Sequence, residues 1–238
     1  MQLTRIMSKL RGYSSGDLSE KKVLEELDEA RPIRLWQAKL SLMKKEDITP
    51  SQLKSIAKVI NRLTEGETNK LKGLPPDHPL KTFLLEHRQI EKLLRELDGL
   101  EINYYEDISP EAEEKLKRIT EKLLEIEKHE MREEKYLLPK IEDVAGDEKV
   151  ISEMIKLINI RHSRLMRKIV RLRNLAQDDN KKCEKIIESR DQLIYSMRDH
   201  NFKENRILYP LALDTKKDWS QIKEGSEEIG YMRLDIGD

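Results

Sequence analysis

The chain has 238 residues, of which 37% are hydrophobic, 39% charged and only 5% aromatic. Sheet-rich folds need more aromatic and β-branched residues than this, so we expect a mostly helical protein. The 46 Lys and Arg residues balance the 46 Asp and Glu residues, which argues against nucleic acid as a partner, and no apolar run approaches the roughly 18 residues of a membrane span.

The first 74 residues are predicted to form a small helical domain. Residues 1–13 lack the apolar core of a signal peptide, so we expect a cytoplasmic protein with no membrane partner. Thr49 and the following Pro50 have the pattern of a helix N-cap and first turn. The predicted helices of this domain cover residues 17–30, 33–45 and 51–63.

Residues 65–77 are predicted to be a linker. Gly66, Gly73, Pro75 and Pro76 interrupt the helical periodicity there. We therefore expect a domain boundary at this segment. The predicted units are an N-terminal helical domain (1–74), a four-helix bundle (75–213) and a C-terminal extension (214–238).

Four long amphipathic helices are predicted from Pro79 onward. In each, apolar residues recur at steps of three and four positions, which marks one buried helix face. Short polar breaks at 99–109, 139–147 and 177–180 predict an antiparallel, up-down four-helix bundle in an all-α protein. The four stripes are Leu80, Phe83, His87, Ile90, Leu94 and Leu97; Ile119, Leu123, Ile126, Glu130, Glu133 and Leu137; Ile151, Ile155, Ile158, His162, Leu165, Ile169 and Leu172; and Leu193, Met197, His200, Glu204 and Leu208.

The last segment, 214–238, shows no long hydrophobic period. We expect it either to fold back over the bundle or to remain partly loose.

The bundle contains an internal repeat. Residues 129–139 and 200–210 share His, Glu, Leu and Pro at the same offsets, with a basic residue just before the Glu. A weaker match at nearly the same period pairs residues 87–90 with 162–165. The bundle is therefore predicted to be a duplicated helical hairpin.

Ionisable residues lie on or beside the buried stripes, where an imidazole or carboxylate without partners costs several kcal/mol. One such histidine is usually a hydrogen-bonded core residue, and one H-x-x-x-E pair is usually a surface ion pair. Four histidines together with a repeated motif favour a metal site instead, because each H-x-x-x-E pair shares one helix face. The predicted ligands of two metal ions, with each Glu able to bridge, are His87, His129, Glu133, His162, His200 and Glu204.

The ligand types narrow the choice of metal. Imidazole with carboxylate suits iron first, with manganese and zinc as alternatives, and the single cysteine, Cys183, excludes a thiolate site. Four imidazoles and two bridging carboxylates form about eight bonds to the metal ions, and an oxygen bridge would raise this number to about ten. Two octahedral ions take about twelve bonds. We therefore expect open positions at which a small gaseous or peroxide ligand binds.

His78 is a candidate additional ligand. It lies nine residues before His87, which places the two side chains on opposite faces of a helix. His87 continues the apolar stripe, whereas His78 precedes Pro79 and is predicted to cap the first bundle helix. We expect His87 to be the ligand.

These motifs resemble those of the hemerythrin cation-binding family, in which a four-helix bundle carries a non-haem diiron centre. The signatures are residues 129–139 and 200–210, and the pattern is also similar to that of bacterial iron-centre repair proteins. The resemblance implies that the six predicted ligands hold two iron ions, bridged by carboxylate and oxygen. Oxygen-carrying hemerythrins have a further histidine where this chain has Met166, which disfavours stable oxygen carriage.

The N-terminal region resembles a helical domain of unknown function that precedes such a bundle in a prokaryotic family. The resemblance rests on residues 34–43, 48–50, 76–80, 219–222 and 228–231. We expect this domain to contact a protein partner.

The expected function is to bind or sense dioxygen, nitric oxide or iron at an open diiron centre. Two alternatives stay open. One is a diiron enzyme or iron-donating repair factor, of peroxidase, nitric oxide reductase or iron–sulfur cluster repair type, and rapid turnover would favour it. The other is a structural, metal-stabilised interaction domain, which an exchange-inert and spectroscopically silent metal would favour.

Overall fold

A computed structural model describes residues 1–45, 47–104, 107–145, 149–178, 183–214 and 219–233, with the backbone alone for 143–145. These ranges contain helices and connecting turns and no β-strand, so the all-α prediction is confirmed. None of the helices in the described part of the chain combines the length and the apolar character that crossing a bilayer requires.

The residues before Pro79 form short helices. They bury a core of their own around Leu10, Leu35 and Ile56. Thr49 caps α4 as predicted, in a capping box with Gln52. These helices are α1 (Leu3–Ser15), α2 (Glu20–Leu27), α3 (Pro32–Met43), α4 (Pro50–Leu63) and α5 (Glu65–Lys72).

The bundle is built from four long helices, the second and fourth of which each contain a π-helical turn of five residues. Helix α6 packs against α7 and α11, and α10 packs against the same two helices, which closes a ring of four. The elements are α6 (Pro79–Asp98); α7 (Pro110–Leu124), α8 (Ile126–Arg132), the first π turn (Glu133–Leu137) and α9 (Leu138–Ala145); α10 (Lys149–Gln177); and α11 (Cys183–Lys203), the second π turn (Glu204–Leu208) and α12 (Tyr209–Leu213).

A polar layer divides the core of the bundle into two apolar clusters. On α10, Ile158 belongs to one cluster and Leu165 to the other, and the buried His162 lies between them. The other bundle helices repeat this order. The apolar residues on either side therefore fix the position of the polar layer along the bundle axis.

Helix α5 lies where we predicted a linker. Leu71 of α5 is fully buried in an apolar cluster. The same cluster contains Ile33 and Trp36 of α3 and apolar residues from one end of the bundle. This burial offsets the cost of Gly66 in the first turn of α5, which the periodicity alone could not show. The N-terminal helices thus share part of a core with the bundle, and the domain boundary at residue 74 stays a prediction.

The second bundle helix continues past the predicted break at 139–147. Helix α9 includes Pro139 and extends to Ala145, and residues 146–147 of the predicted break lie outside the described residues. The preceding π turn has already interrupted the regular i→i+4 hydrogen bonds, so the missing N–H of Pro139 costs little there.

The described part of the C-terminal extension folds back over the bundle; residues 215–218 and 234–238 lie outside it. Helix α13 (Ser220–Ile229) packs against α8 and the first π turn. A Cβ at Gly225 would lie 2.2 Å from the ring of Tyr136, whose hydroxyl group donates to Glu228 at 3.0 Å. Glycine therefore permits the close approach of α13.

Candidate metal centre

The six predicted ligands come together in the polar layer. Each is at most 4% exposed, and all four bundle helices contribute. Histidines and glutamates one turn apart on the same helix project from the same face, as predicted. The contributions are His87 from α6, His129 from α8 with Glu133 of the first π turn, His162 from α10, and His200 from α11 with Glu204 of the second π turn.

The donor atoms form two groups that share one carboxylate. The first group contains Glu133, His162, His200 and Glu204, and the second contains His87, His129 and Glu204. Within each group the donor atoms lie within 4.8 Å of one another. Two adjacent groups joined by a carboxylate are the arrangement that a two-metal site requires.

Each glutamate directs its two oxygens toward different groups. Glu204 places Oε1 2.9 Å from Nε2 of His200 and Oε2 3.1 Å from Nε2 of His87. Glu133 places Oε2 3.3 Å from Nε2 of His162, and its Oε1 lies on the side of the second group. Each carboxylate thus has one oxygen on the side of each group of donors.

Three of the four imidazoles are oriented by an oxygen acceptor at Nδ1. The acceptor receives a hydrogen bond from Nδ1–H, so in the neutral ring the proton stays on Nδ1 and the lone pair of Nε2 is directed into the polar layer. Proteins commonly orient metal-bound histidines in this way. The pairs are Asn205 Oδ1 with His87 at 2.9 Å, Glu86 Oε2 with His129 at 2.8 Å, and Glu134 Oε1 with His162 at 2.7 Å.

The two imidazoles of the second group test whether a metal ion fits. Nε2 of His87 lies 3.1 Å from Nε2 of His129, and in the neutral rings neither atom has a proton to donate. Their lone pairs repel each other unless a proton or a metal ion lies between them. Burial lowers the pKa of His87, but hydrogen bonding to Glu204 outweighs burial, raises that pKa and favours such a proton in the metal-free chain. Two donors bound to one ion at about 2.1 Å and at right angles are about 3.0 Å apart, so the observed spacing fits a shared metal ion.

Protons and a metal ion compete for the same atoms. Burial lowers the pKa of His162, but hydrogen bonds with Glu133, Glu134 and Glu204 outweigh burial and hold that pKa well above its ordinary value. Burial would raise the pKa of Glu204, but the charge of His200 and the hydrogen bonds from the histidines hold it well below its ordinary value. Metal binding must displace the imidazole protons, so metal affinity falls as the pH falls.

Glu86 and Arg132 form a fully buried ion pair behind His129. Glu86 also accepts from Nδ1 of His129 and, at 3.0 Å, from the backbone N–H of Met232. Burial would raise the pKa of Glu86, but His129 and Arg132 outweigh it and hold the pKa at about 2. The ring of Tyr231 covers the guanidinium group of Arg132 at 4.8 Å. The C-terminal segment therefore closes over the group that orients a predicted ligand.

Glu130 is a further carboxyl group beside the centre. It is 5% exposed, and its Oε1 has no hydrogen-bond partner among the described residues. Burial raises its pKa to about 8; the charge of His162 opposes this rise, and Glu204, Glu133 and Glu134 add to it. At neutral pH the group therefore holds a proton.

Tyr209 brings a hydroxyl group to the centre. Its side chain is fully buried, and its Oη donates a 2.6 Å hydrogen bond to Oε1 of Glu133. The same oxygen lies 3.3 Å from Nε2 of His87 and 3.4 Å from Nε2 of His129. Sequence reasoning did not identify this residue.

Signals for some of the other missed residues were present in the sequence. Glu134 and Asn205 both follow the candidate ligand glutamate in the two copies of the repeat, and each binds Nδ1 of a histidine on another bundle helix. Glu86 follows Phe83 by three positions and precedes Ile90 by four, so it also fits the buried face of α6. The repeat and the helical period together therefore contain the signal that places Glu134, Asn205 and Glu86 beside the candidate ligands.

His78 lies at the N-terminus of α6, where its Nδ1 accepts a hydrogen bond from the backbone N–H of Leu80 at 3.2 Å. Its ring packs against Trp219, with 4.5 Å between ring centroids. His78 is in neither group of donors found among the described residues, and it caps the helix as the sequence predicts.

The family model for the hemerythrin HHE cation binding domain matches residues 78–212, which is more than half of the chain. The chain belongs to the hemerythrin family. The matched range covers the bundle and all six candidate ligands, so the hemerythrin resemblance and the helical-bundle architecture are confirmed. The hemerythrin domain is a cation-binding domain, and the buried His and Glu groups of this chain fit that role. No curated protein matches the chain, and the resemblance of the N-terminal helices stays a prediction.

Proposed function

We propose that this hemerythrin-family chain is a non-haem diiron protein that binds or senses a small molecule, such as dioxygen or nitric oxide, or iron itself. The observation that carries the proposal is the position of Glu204 in both groups of buried donors, with Glu133 also reaching toward both. We assign the metal ligands as His87, His129, Glu133, His162, His200 and Glu204.

The donor set favours iron. Four imidazoles and two carboxylates without a thiolate suit iron, ahead of manganese and zinc. When bound, two iron ions would supply redox chemistry and coordination positions that the protein leaves open, because eight protein donor bonds fall short of about twelve. The histidines and glutamates bind and orient the ions, and the two apolar clusters exclude water from both sides.

A pocket of about 360 Å³ reaches the layer of candidate ligands at His87, and we infer that a small molecule enters there. His87 and Asn205, which hydrogen bond to each other, form part of its wall. The exposed side chains of Arg88 and Lys72 also line it, and the guanidinium group of Arg198 pairs there with Glu91 at 3.2 Å. The pocket therefore favours small neutral or anionic ligands over cations.

Catalysis is the second candidate function, as a diiron enzyme or an iron-donating repair factor. The buried carboxyl group of Glu130, with Oε1 unpartnered in the described residues, favours this candidate, because reversible binding does not need an additional acid beside the ligands. Steady turnover of peroxide or nitric oxide by the iron-loaded chain, lost in Glu130→Gln with its iron retained, would favour the enzyme over the sensor.

Iron analysis tests the proposal. The purified chain, loaded with Fe(II) without air, should hold about two iron ions, the number that two adjoining donor groups take. Air exposure should then produce the near-ultraviolet absorption of a coupled ferric pair. Glu204→Ala should lose iron from both groups, whereas Glu188→Ala, on the exposed side of α11, should keep both ions. One iron or fewer in the unchanged chain, without the absorption band, would contradict the proposal.

A further inference from the structure

The two groups of donors are unequal. The first group has four residues with ligand atoms, and the second has three. The second copy of the repeat has Tyr209 where the first has Leu138, so the hydroxyl group has no counterpart in the other copy. Tyr209 Oη lies on the side of the smaller group, within 3.4 Å of both of its imidazole nitrogens.

We propose that Tyr209 is itself a metal ligand, and that its phenolate oxygen is the fourth donor of the His87 and His129 group. This inference rests on the proposed diiron centre. It gives each group four residues with donor atoms, and it makes the two ions inequivalent, because only one of them has a phenolate ligand.

The spacing of the donor atoms supports this assignment. Nε2 of His87, Nε2 of His129 and Oη of Tyr209 form a triangle with sides of 3.1, 3.3 and 3.4 Å. Neighbouring donors in an octahedral shell with bonds of about 2.1 Å are about 3.0 Å apart. The three atoms therefore have nearly the spacing of three ligands on one face of a single ion.

The second π turn explains why Tyr209 points inward. In an uninterrupted α-helix five residues turn the chain through about 500°, so Tyr209 and Glu204 would face different directions. Here the N–H of Tyr209 donates to the carbonyl oxygen of Glu204, an i→i+5 bond that widens the turn. π turns are often found at functional sites, and this one brings both side chains to the same centre.

Coordination changes the bonding of the phenol in a balanced way. The phenol O–H bond breaks, the oxygen–metal bond forms, and the proton leaves to the solvent in exchange for the cation. Oε1 of Glu133 loses the hydrogen bond from Tyr209, and its lone pair becomes available to the same ion. No oxidant or reductant is needed for this step.

Visible spectroscopy of three proteins tests the inference. The unchanged chain, Tyr209→Phe and Tyr136→Phe are each loaded with two equivalents of Fe(II) without air, analysed for iron and then oxidised. Ferric phenolate complexes have a broad visible charge-transfer band, and excitation in that band enhances Raman vibrations of the phenolate ring. Tyr136 is the matched control, because it lies in the first π turn and its hydroxyl group binds Glu228 outside the centre.

The expected result is a visible band in the unchanged chain and in Tyr136→Phe, with complete loss of the band in Tyr209→Phe at the same iron content. A Raman shift on incorporation of ring-deuterated tyrosine into the unchanged chain shows without any substitution that a tyrosine is bound to the iron, and Tyr209→Phe identifies which one. Two irons in all three proteins with identical visible spectra, or an unchanged chain without phenolate vibrations, would overturn the inference alone. Fewer than two irons in the unchanged chain would instead contradict the proposed function, and this inference with it.

Discussion

At the scale of single residues, the candidate centre depends on groups that stand behind the ligands. Asn205 and Glu134 each accept a hydrogen bond from Nδ1 of a histidine, so that Nε2 is directed inward. His200 has no such partner at Nδ1 among the described residues, and its orientation depends on packing and on Glu204, 2.9 Å from its Nε2. Three of the imidazoles are therefore held more firmly than the fourth.

Glu130→Gln should change how the stability of the metal-free chain depends on pH. The pKa of Glu130 is raised in the folded protein from 4.5 to about 8. A raised pKa contributes stability that is fully present below pH 4.5 and is lost as the pH rises toward 8. The free energy of unfolding of the unchanged chain should therefore fall across this window, relative to Glu130→Gln, by an amount on the order of a few kcal/mol.

Urea unfolding at pH 5 and pH 8 in the presence of a chelator measures this difference. Glu127→Gln removes an exposed carboxyl group of the same helix and should behave as the unchanged chain does. The same change in stability between the two pH values for Glu130→Gln and the unchanged chain would show that Glu130 does not hold a proton in the fold.

At the scale of secondary-structure elements, the buried ion pair joins three segments of the chain. Glu86 lies on α6, Arg132 ends α8, and Tyr231 and Met232 follow α13. The side chains of Glu86, Arg132 and Tyr231 and the backbone N–H of Met232 meet behind His129. Docking of the C-terminal segment and orientation of a candidate ligand thus depend on the same contact.

Arg132→Met should destabilise the chain by about 3–5 kcal/mol, because it leaves the Glu86 carboxylate buried without its cation. Urea unfolding at neutral pH measures the loss. The matched control is Arg118→Met: Arg118 lies 2.9 Å from Glu96, but the two side chains are 49% and 34% exposed, so its loss should stay below about 1 kcal/mol.

The double variant Glu86→Gln with Arg132→Met should recover part of the lost stability, because no buried charge then remains at this position. If Arg132→Met and Arg118→Met lower the free energy of unfolding by the same small amount, the buried pair of Glu86 and Arg132 contributes no more to stability than a surface contact.

At the scale of the whole molecule, we expect metal binding and folding to be coupled. The donors come from four helices that are far apart in sequence, so the centre exists only in the folded bundle. A ligand that binds only the folded state stabilises it by about 2.7 kcal/mol at a hundredfold excess over its dissociation constant.

Iron loading should therefore raise the melting temperature by about 5–10 °C over the chelated chain, given about 2–4 °C per kcal/mol for a chain of this size. Thermal denaturation followed by circular dichroism checks this. Identical melting of the chelated and the iron-loaded chain would contradict a buried centre.

The helical class, the four-helix bundle and the six candidate ligands could all be predicted from the sequence. The spacing of apolar and charged residues at steps of three and four positions is a local pattern that identifies the buried face of each helix. The internal repeat supports the choice of His129, Glu133, His200 and Glu204, because the same residue types recur at the same offsets. The cap at His78 was also predictable, because the proline that follows restricts the backbone there.

Most of the groups that surround those ligands became apparent in the folded structure. Tyr209 reaches the centre because a π turn departs from the α-helical period, and no periodicity argument includes such a turn. Helix α5 forms because Leu71 is buried against distant residues, and Arg132 is held by Glu86 across 46 positions of sequence. These features depend on contacts between remote parts of the chain, whereas sequence patterns report only on neighbours along one helix.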